Sequence, residues 1–288
     1  MYANIQGLTG YKVDAIQADN GYMSCDIIML SECHMNLNYI SHIQLAGYTI
    51  INATGNQASN SSNGQVCYWR EGCSDEALLS FVGHNADPVT NNYNNEYNDY
   101  MDRQSNSTLG KYLHFENHVI DFITGGSGDN QFRQPRNLPS KQMVEISLYQ
   151  YDRIETQQKV FLIQIYNHPD ATEARSLSNL LEELYSFLEI HSRTISGRKI
   201  MLFGDLNVDF NDEENRRRWD IFIGKDYSLL PTLTKTCTRP RTKEINNPVK
   251  QRQLDWVFTN KKIDEQKTIP YCTWFSDHLP LYTKIDKF

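Results

Sequence analysis

Ile200-Met201-Leu202-Phe203-Gly204-Asp205-Leu206-Asn207 is the stretch from which the fold can be read. Consecutive apolar residues make a strand buried on both faces, and the Gly-Asp-Leu-Asn that follows sets a carboxylate and an amide at its end. Upstream, Asp170 to His191 carries Leu177, Leu180, Leu181, Leu184 and Leu188 on one helical stripe, with Asp170 or Thr172 able to cap its start. Upstream again, Val160 to Tyr166 alternates, placing Phe161, Ile163 and Ile165 on one face. Strand, helix, strand is the repeating unit of a layered α/β protein. Further strands are expected at Tyr2 to Leu8, Cys25 to Leu30, Val66 to Trp69, Met143 to Tyr149, 254–258 and 281–285, with a helix between the first two.

The chain has 288 residues and a net charge of −7, which argues against a protein that coats nucleic acid through an overall positive field. Local basic segments remain: Arg216-Arg217-Arg218, the run Thr236 to Lys243 with Thr238, Arg239 and Arg241, and Lys250 with Arg252. They suit phosphate contacts, and the second should overhang the site; solvated surface is the plain alternative. The six cysteines form no C-x-x-C pair and no zinc-finger array, so they are expected as reduced thiols of an intracellular protein. No apolar run reaches bilayer length, and no membrane partner is expected. Residues 84–140, with Asn91-Asn92-Tyr93-Asn94-Asn95 and Gly125-Gly126-Ser127-Gly128, hold too little apolar surface for a core. They are expected as an insertion in a single domain, with a short ordered piece around Tyr112 to Thr124. The glycine run lacks the Lys-Ser/Thr and helix start of a phosphate cradle.

Strand ends are where α/β folds keep their chemistry. Glu32 follows the strand 27–30, Asn4 lies on the first strand, Asp205 and Asn207 follow 200–203, and Ser276-Asp277-His278 precedes Leu279-Pro280-Leu281. These groups are metal ligands or proton carriers, as metal-assisted attack on a phosphodiester requires. Asp255 sits inside Leu254-Asp255-Trp256-Val257-Phe258, where an unpaired carboxylate is costly, so a partner such as His278 is expected unless the side chain points outward. His34, His118 and His168 read as surface or packing residues, with His168 two positions from Tyr166.

In order along the chain, Asn4-Ile5-Gln6-Gly7, Ser31-Glu32, Tyr166-Asn167-His168-Pro169, Gly204-Asp205-Leu206-Asn207, Leu254-Asp255-Trp256 and Ser276-Asp277-His278-Leu279-Pro280 resemble the motifs of the endonuclease/exonuclease/phosphatase family. The chain looks most like the apurinic-type endonuclease domain of non-LTR (LINE-type) retrotransposons. That resemblance implies a four-layered α/β sandwich of the DNase I type, with the site at one end of two packed sheets. It implies a Mg²⁺-dependent DNA endonuclease, Mn²⁺ being a substitute, that nicks one strand of double-stranded DNA by in-line water attack. The 3′-hydroxyl left behind would prime a reverse transcriptase carried in a longer polyprotein, which places the protein in the nucleus.

Carried over residue by residue, the resemblance makes Glu32, with Asn4 and Asp277, the metal ligands. Asp205 and Asn207 orient water and phosphate, Tyr166 bonds a phosphate oxygen, and His278, oriented by Asp255, acts as base or donor. Arg239, Arg241, Thr238 and Arg252 are the expected nucleic-acid contacts. Pro169 stands where many apurinic endonucleases have Asn, so abasic-site cleavage is not implied, and Arg252 stands where a Ser is common, so the DNA contacts of that loop are expected to differ. The rival readings are a phosphoesterase of the same fold acting on RNA, a phosphoinositide or a small nucleotide, and a non-catalytic nucleic-acid-binding module.

Overall fold

The computed structural model describes residues 1–34, 37–55, 64–73, 77–85, 143–232, 252–260 and 267–284. The strands are β1 (Tyr2–Asn4), β2 (Ile27–Ser31), β3 (Tyr48–Ala53), β4 (Val66–Arg70), β5 (Ala77–His84), β6 (Val144–Arg153), β7 (Lys159–Asn167), β8 (Lys199–Asp205), β9 (Leu230–Pro231), β10 (Asp255–Thr259), β11 (Lys267–Pro270) and β12 (Leu281–Lys284). They build two six-stranded sheets, ordered β11-β12-β1-β2-β4-β3 and β5-β6-β7-β8-β10-β9. Both are mixed: β1 runs parallel to β2 and β7 to β8, while the other pairs are antiparallel.

Alternation along the strands sorts side chains into layers. Ile200 and Leu202 of β8, with Phe161, Ile163 and Ile165 of β7, pack on helix α3 (Glu173–Ile190), whose buried stripe is Leu177, Leu180, Leu181, Leu184 and Leu188. Thr172 Oγ1 caps that helix by accepting from Arg175 N. Met201, Phe203, Val160, Leu162 and Val257 point the other way and meet Tyr2, Met29, Cys67 and Leu281 of the first sheet. The far side of the first sheet, through Ala3, Ile28 and Leu30, is covered by α1 (Gly10–Gln17) and α2 (Asn20–Met23), which contribute Val13, Ile16 and Tyr22. Helix, sheet, sheet, helix is the expected four-layered sandwich.

The described cysteines, Cys25, Cys33, Cys67, Cys73 and Cys272, are free thiols. Among the described residues no helix is long and apolar enough to cross a membrane. At the start of the insertion expected at about 84–140, His84 closes β5 and Asn85 bonds the β6 backbone through Val144 O at 2.9 Å and Ile146 N at 3.0 Å. The rest of it, with the piece around Tyr112 to Thr124, lies outside the described residues, as does His118.

Candidate active site

Three strands of the second sheet set the site in register: Tyr166 of β7 pairs with Asp205 of β8, and Asp205 pairs with Asp255 of β10. Each belongs to the set that points between the sheets, with Gln164 before Tyr166, Phe203 before Asp205 and Val257 after Asp255. Asp255 is therefore turned inward and is 1% exposed. In the first sheet Asn4 pairs with Ser31, and Glu32 follows at the same rim. Tyr2 and Asn4 face the second sheet, which brings Asn4 Nδ2 to Asp205 Oδ2 at 2.7 Å, and Tyr2 Oη accepts from Asp205 N at 2.6 Å.

Gly204 is required by this packing, since a Cβ there would stand 2.6 Å from the Ile165 carbonyl oxygen of the neighbouring strand. Backbone strain collects at the rim as well. Gln6, Glu32 and Asn207 all have left-handed φ, 48°, 56° and 49°, a conformation costing a non-glycine residue about 1 kcal/mol. Gln6 N donates to Asn4 Oδ1 at 3.1 Å, and Asn207 N to Asp205 Oδ1 at 3.0 Å, so the turns fix the site's polar atoms.

His278 Nδ1 lies 2.8 Å from Asp255 Oδ2 and 3.6 Å from Asp205 Oδ2, all three groups being buried. Ser276 Oγ donates to Asn4 O at 2.7 Å and accepts from His278 N at 3.1 Å, tying the C-terminal segment to β1. Burial alone would lower the imidazole pKa, but the charges of Asp255 and Asp205 outweigh it and push it up to about 10. Burial raises Asp205 to about 7, with Asp255 adding to the rise and His278 opposing it. Glu32 moves the other way: burial would raise it, yet hydrogen bonds from His34, Asn4 and Tyr166 hold it below the usual carboxylate value. Asn207 Nδ2 donates to Asn167 O at 2.7 Å, and Asp277 Oδ1 lies 3.8 Å from His278 Nε2.

The structure thus brings together Asn4, Glu32, Tyr166, Asp205, Asn207, Asp255, Asp277 and His278. Arg252 stands apart, ion-paired with Glu173 at the start of α3, and Thr238, Arg239 and Arg241 lie outside the described residues. In the Arg216–Arg218 segment, Arg217 pairs with Glu214 at 3.0 Å and Arg218 bonds Ser178 Oγ. Glu145 was not read from the sequence. It is buried beside the site, accepts from Gly64 N at 3.1 Å and faces His168 Nε2 at 3.7 Å, and the His168 ring meets Tyr166 edge-on at 4.5 Å. The signal was present, an acid between Val144 and Ile146, and it is the same signal that singles out Asp255.

Asp205, Asp255 and His278 offer ligand atoms within 4.8 Å of one another and could hold a metal ion. In that cluster His278 Nδ1, the ring nitrogen facing the carboxylates, is already engaged by Asp255 Oδ2 at 2.8 Å. The oxygen set of Glu32, Asn4 and Asp277 suits a hard cation better.

No family model matches the sequence, and no curated protein does either. Solved structures do match over almost the whole chain. An endonuclease/exonuclease/phosphatase from Bacteroides vulgatus superposes with a TM-score of 0.55 at 12% identity, covering 99% of this chain and 97% of its own. The chain has the endonuclease/exonuclease/phosphatase fold. The same fold is shared by a mannosyl-6-phosphatase of Bacteroides thetaiotaomicron (TM-score 0.54, 14% identity, 98% of this chain and 97% of that one). TDP2 of D. rerio, complexed with single-strand DNA product, also shares it (TM-score 0.51, 10% identity, 98% and 96%).

Proposed function

We propose that the protein is a divalent-metal-dependent phosphodiesterase that nicks DNA and leaves a 3′-hydroxyl. The observation that carries this reading is the buried set Asn4, Asp205, Asp255 and His278, bonded across two sheets at 2.7–2.8 Å and opening at the rim beside Glu32 and Tyr166. Burying two carboxylates and an imidazole together is costly unless each is paired, and such an arrangement with shifted pKa values marks a reacting centre. That proteins of the same fold act on phosphate esters and DNA supports the substrate class; the motif order from Asn4 to Pro280 supports the nicking of DNA to prime a reverse transcriptase in the nucleus.

Asp205, ionising near pH 7, is suited to take a proton from the attacking water, and Asn207 and Asn4 keep its oxygens aimed. His278, held protonated by Asp255, donates a charged hydrogen bond to the phosphate as negative charge grows. Tyr166 adds a phenolic hydrogen bond that burial keeps protonated. Glu32, Asn4 and Asp277 would hold Mg²⁺ or Mn²⁺, which supplies charge to the phosphate oxygens and the leaving group.

Supercoiled plasmid incubated with Mg²⁺ should be converted to nicked circles, and His278→Ala should abolish this. Plasmid left intact by wild type, with turnover of RNA, an inositol phosphate or a nucleotide instead, would move the substrate; equal behaviour of wild type and His278→Ala would end the reading.

A further inference from the structure

The chain has four tryptophans, and three of them, Trp69, Trp219 and Trp256, are buried at 7%, 1% and 0% exposure. Trp274 is 69% exposed. Its ring meets that of Tyr11, itself 63% exposed, at 5.4 Å between centroids and 69° between planes. Two large aromatic rings left in water are unusual on a surface that needs nothing from them, and an edge-on pair keeps ring face open to a third ring.

The pair is anchored to the active site from both sides. Phe275, next to Trp274, is buried in the core between the first sheet and its helices, and Ser276 is bonded to Asn4 O. Tyr11 precedes Lys12, whose ammonium donates to the carbonyls of Ile5 and Gln6 and feels the charges of Glu32 and Asp277. The rings are therefore carried by the two segments that also carry Asn4 and His278, and the cation next to Tyr11 in the chain is within reach of the charges of Glu32 and Asp277. A phosphate group alone would not use such a surface. A nucleotide strand would, with its phosphate near Lys12 and its base on the rings.

We infer that Trp274 and Tyr11 form a stacking platform for an unpaired nucleobase beside the phosphate that is cut. The inference rests on the nucleic-acid reading above and deepens it: a base inside a duplex has both faces covered, so the platform selects a single-stranded or unstacked nucleotide next to the scissile bond.

Because Trp274 is the exposed tryptophan, its fluorescence reports directly on the platform. With the full chain in chelator, a short single-stranded oligonucleotide should quench the emission and shield it from acrylamide, and an abasic oligomer of the same length should do neither. Trp274→Ala should weaken oligonucleotide binding about 5- to 100-fold, raise KM with little change in kcat, and be rescued in part by Trp274→Phe. Equal quenching by the abasic oligomer, quenching by mannose 6-phosphate instead, or unchanged affinity in Trp274→Ala would overturn the inference. So would Trp274 shielded in a dimer without nucleic acid. Base-dependent quenching in a protein that hydrolyses no nucleic acid would leave the platform standing and the proposed activity refuted.

Discussion

Asp255 and His278 lie 23 positions apart in the chain and 2.8 Å apart in space, and the charge of the first sets the protonation of the second. Asp255→Asn keeps the shape and removes that charge. The imidazole pKa should then fall from about 10 toward 6.5, which NMR titration of the ring would show, and kcat should drop about a hundredfold or more. The wild-type rate should follow a bell, rising as Asp205 ionises near pH 7 and falling as His278 loses its proton near pH 10. The same raised His278 pKa contributes stability to the metal-free protein that is complete below pH 6.5 and is lost as pH rises through about 10. Denaturant midpoints measured across that range check the sign. At this scale the sequence was informative where a polar residue interrupts an apolar run, as at Asp205 and Asp255. It was silent on Tyr2 and Asn167, whose residue types are ordinary and whose roles, bonding Asp205 N and Asn207 Nδ2, arise from position alone.

Helix α3 and the strands inside the sheets were legible because burial on one or both faces writes a strong apolar period. Leu184, fully buried in the α3 stripe, makes the point quantitative. Leu184→Ala should cost about 2–5 kcal/mol in chemical denaturation, whereas Thr172→Ala, which removes the cap, should cost about 1 kcal/mol. The strands that the pattern did not reveal are β3, β5, β9 and β11, and these are the four sheet edges. Edge strands are half covered and protected against pairing with other chains, so their signal is diluted. Here β3 and β5 carry register shifts, β5 exposes Leu78 and Phe81, and β9 and β11 each contain a proline, Pro231 and Pro270.

Across the molecule, three buried clusters of apolar side chains build the four layers. Chelation should accordingly stop hydrolysis and leave the far-UV circular dichroism spectrum and thermal midpoint nearly unchanged; unfolding on chelation would instead make the metal structural. The sequence by itself determined the class of the fold, the interior strands and the residue types at the strand ends, because these follow from local periodicity and from the cost of burying charge. Only the tertiary structure decided that they make one site. Asn4 reaches Asp205 across 201 positions of chain because two sheets stack with the same strand ends at one rim. It also decided that Glu145 and His168 belong beside Tyr166, and that Trp274, in the segment leading to His278, stands in water while the other three tryptophans are buried. Local pattern states what a residue costs to bury; which partner meets that cost depends on packing between elements distant in sequence.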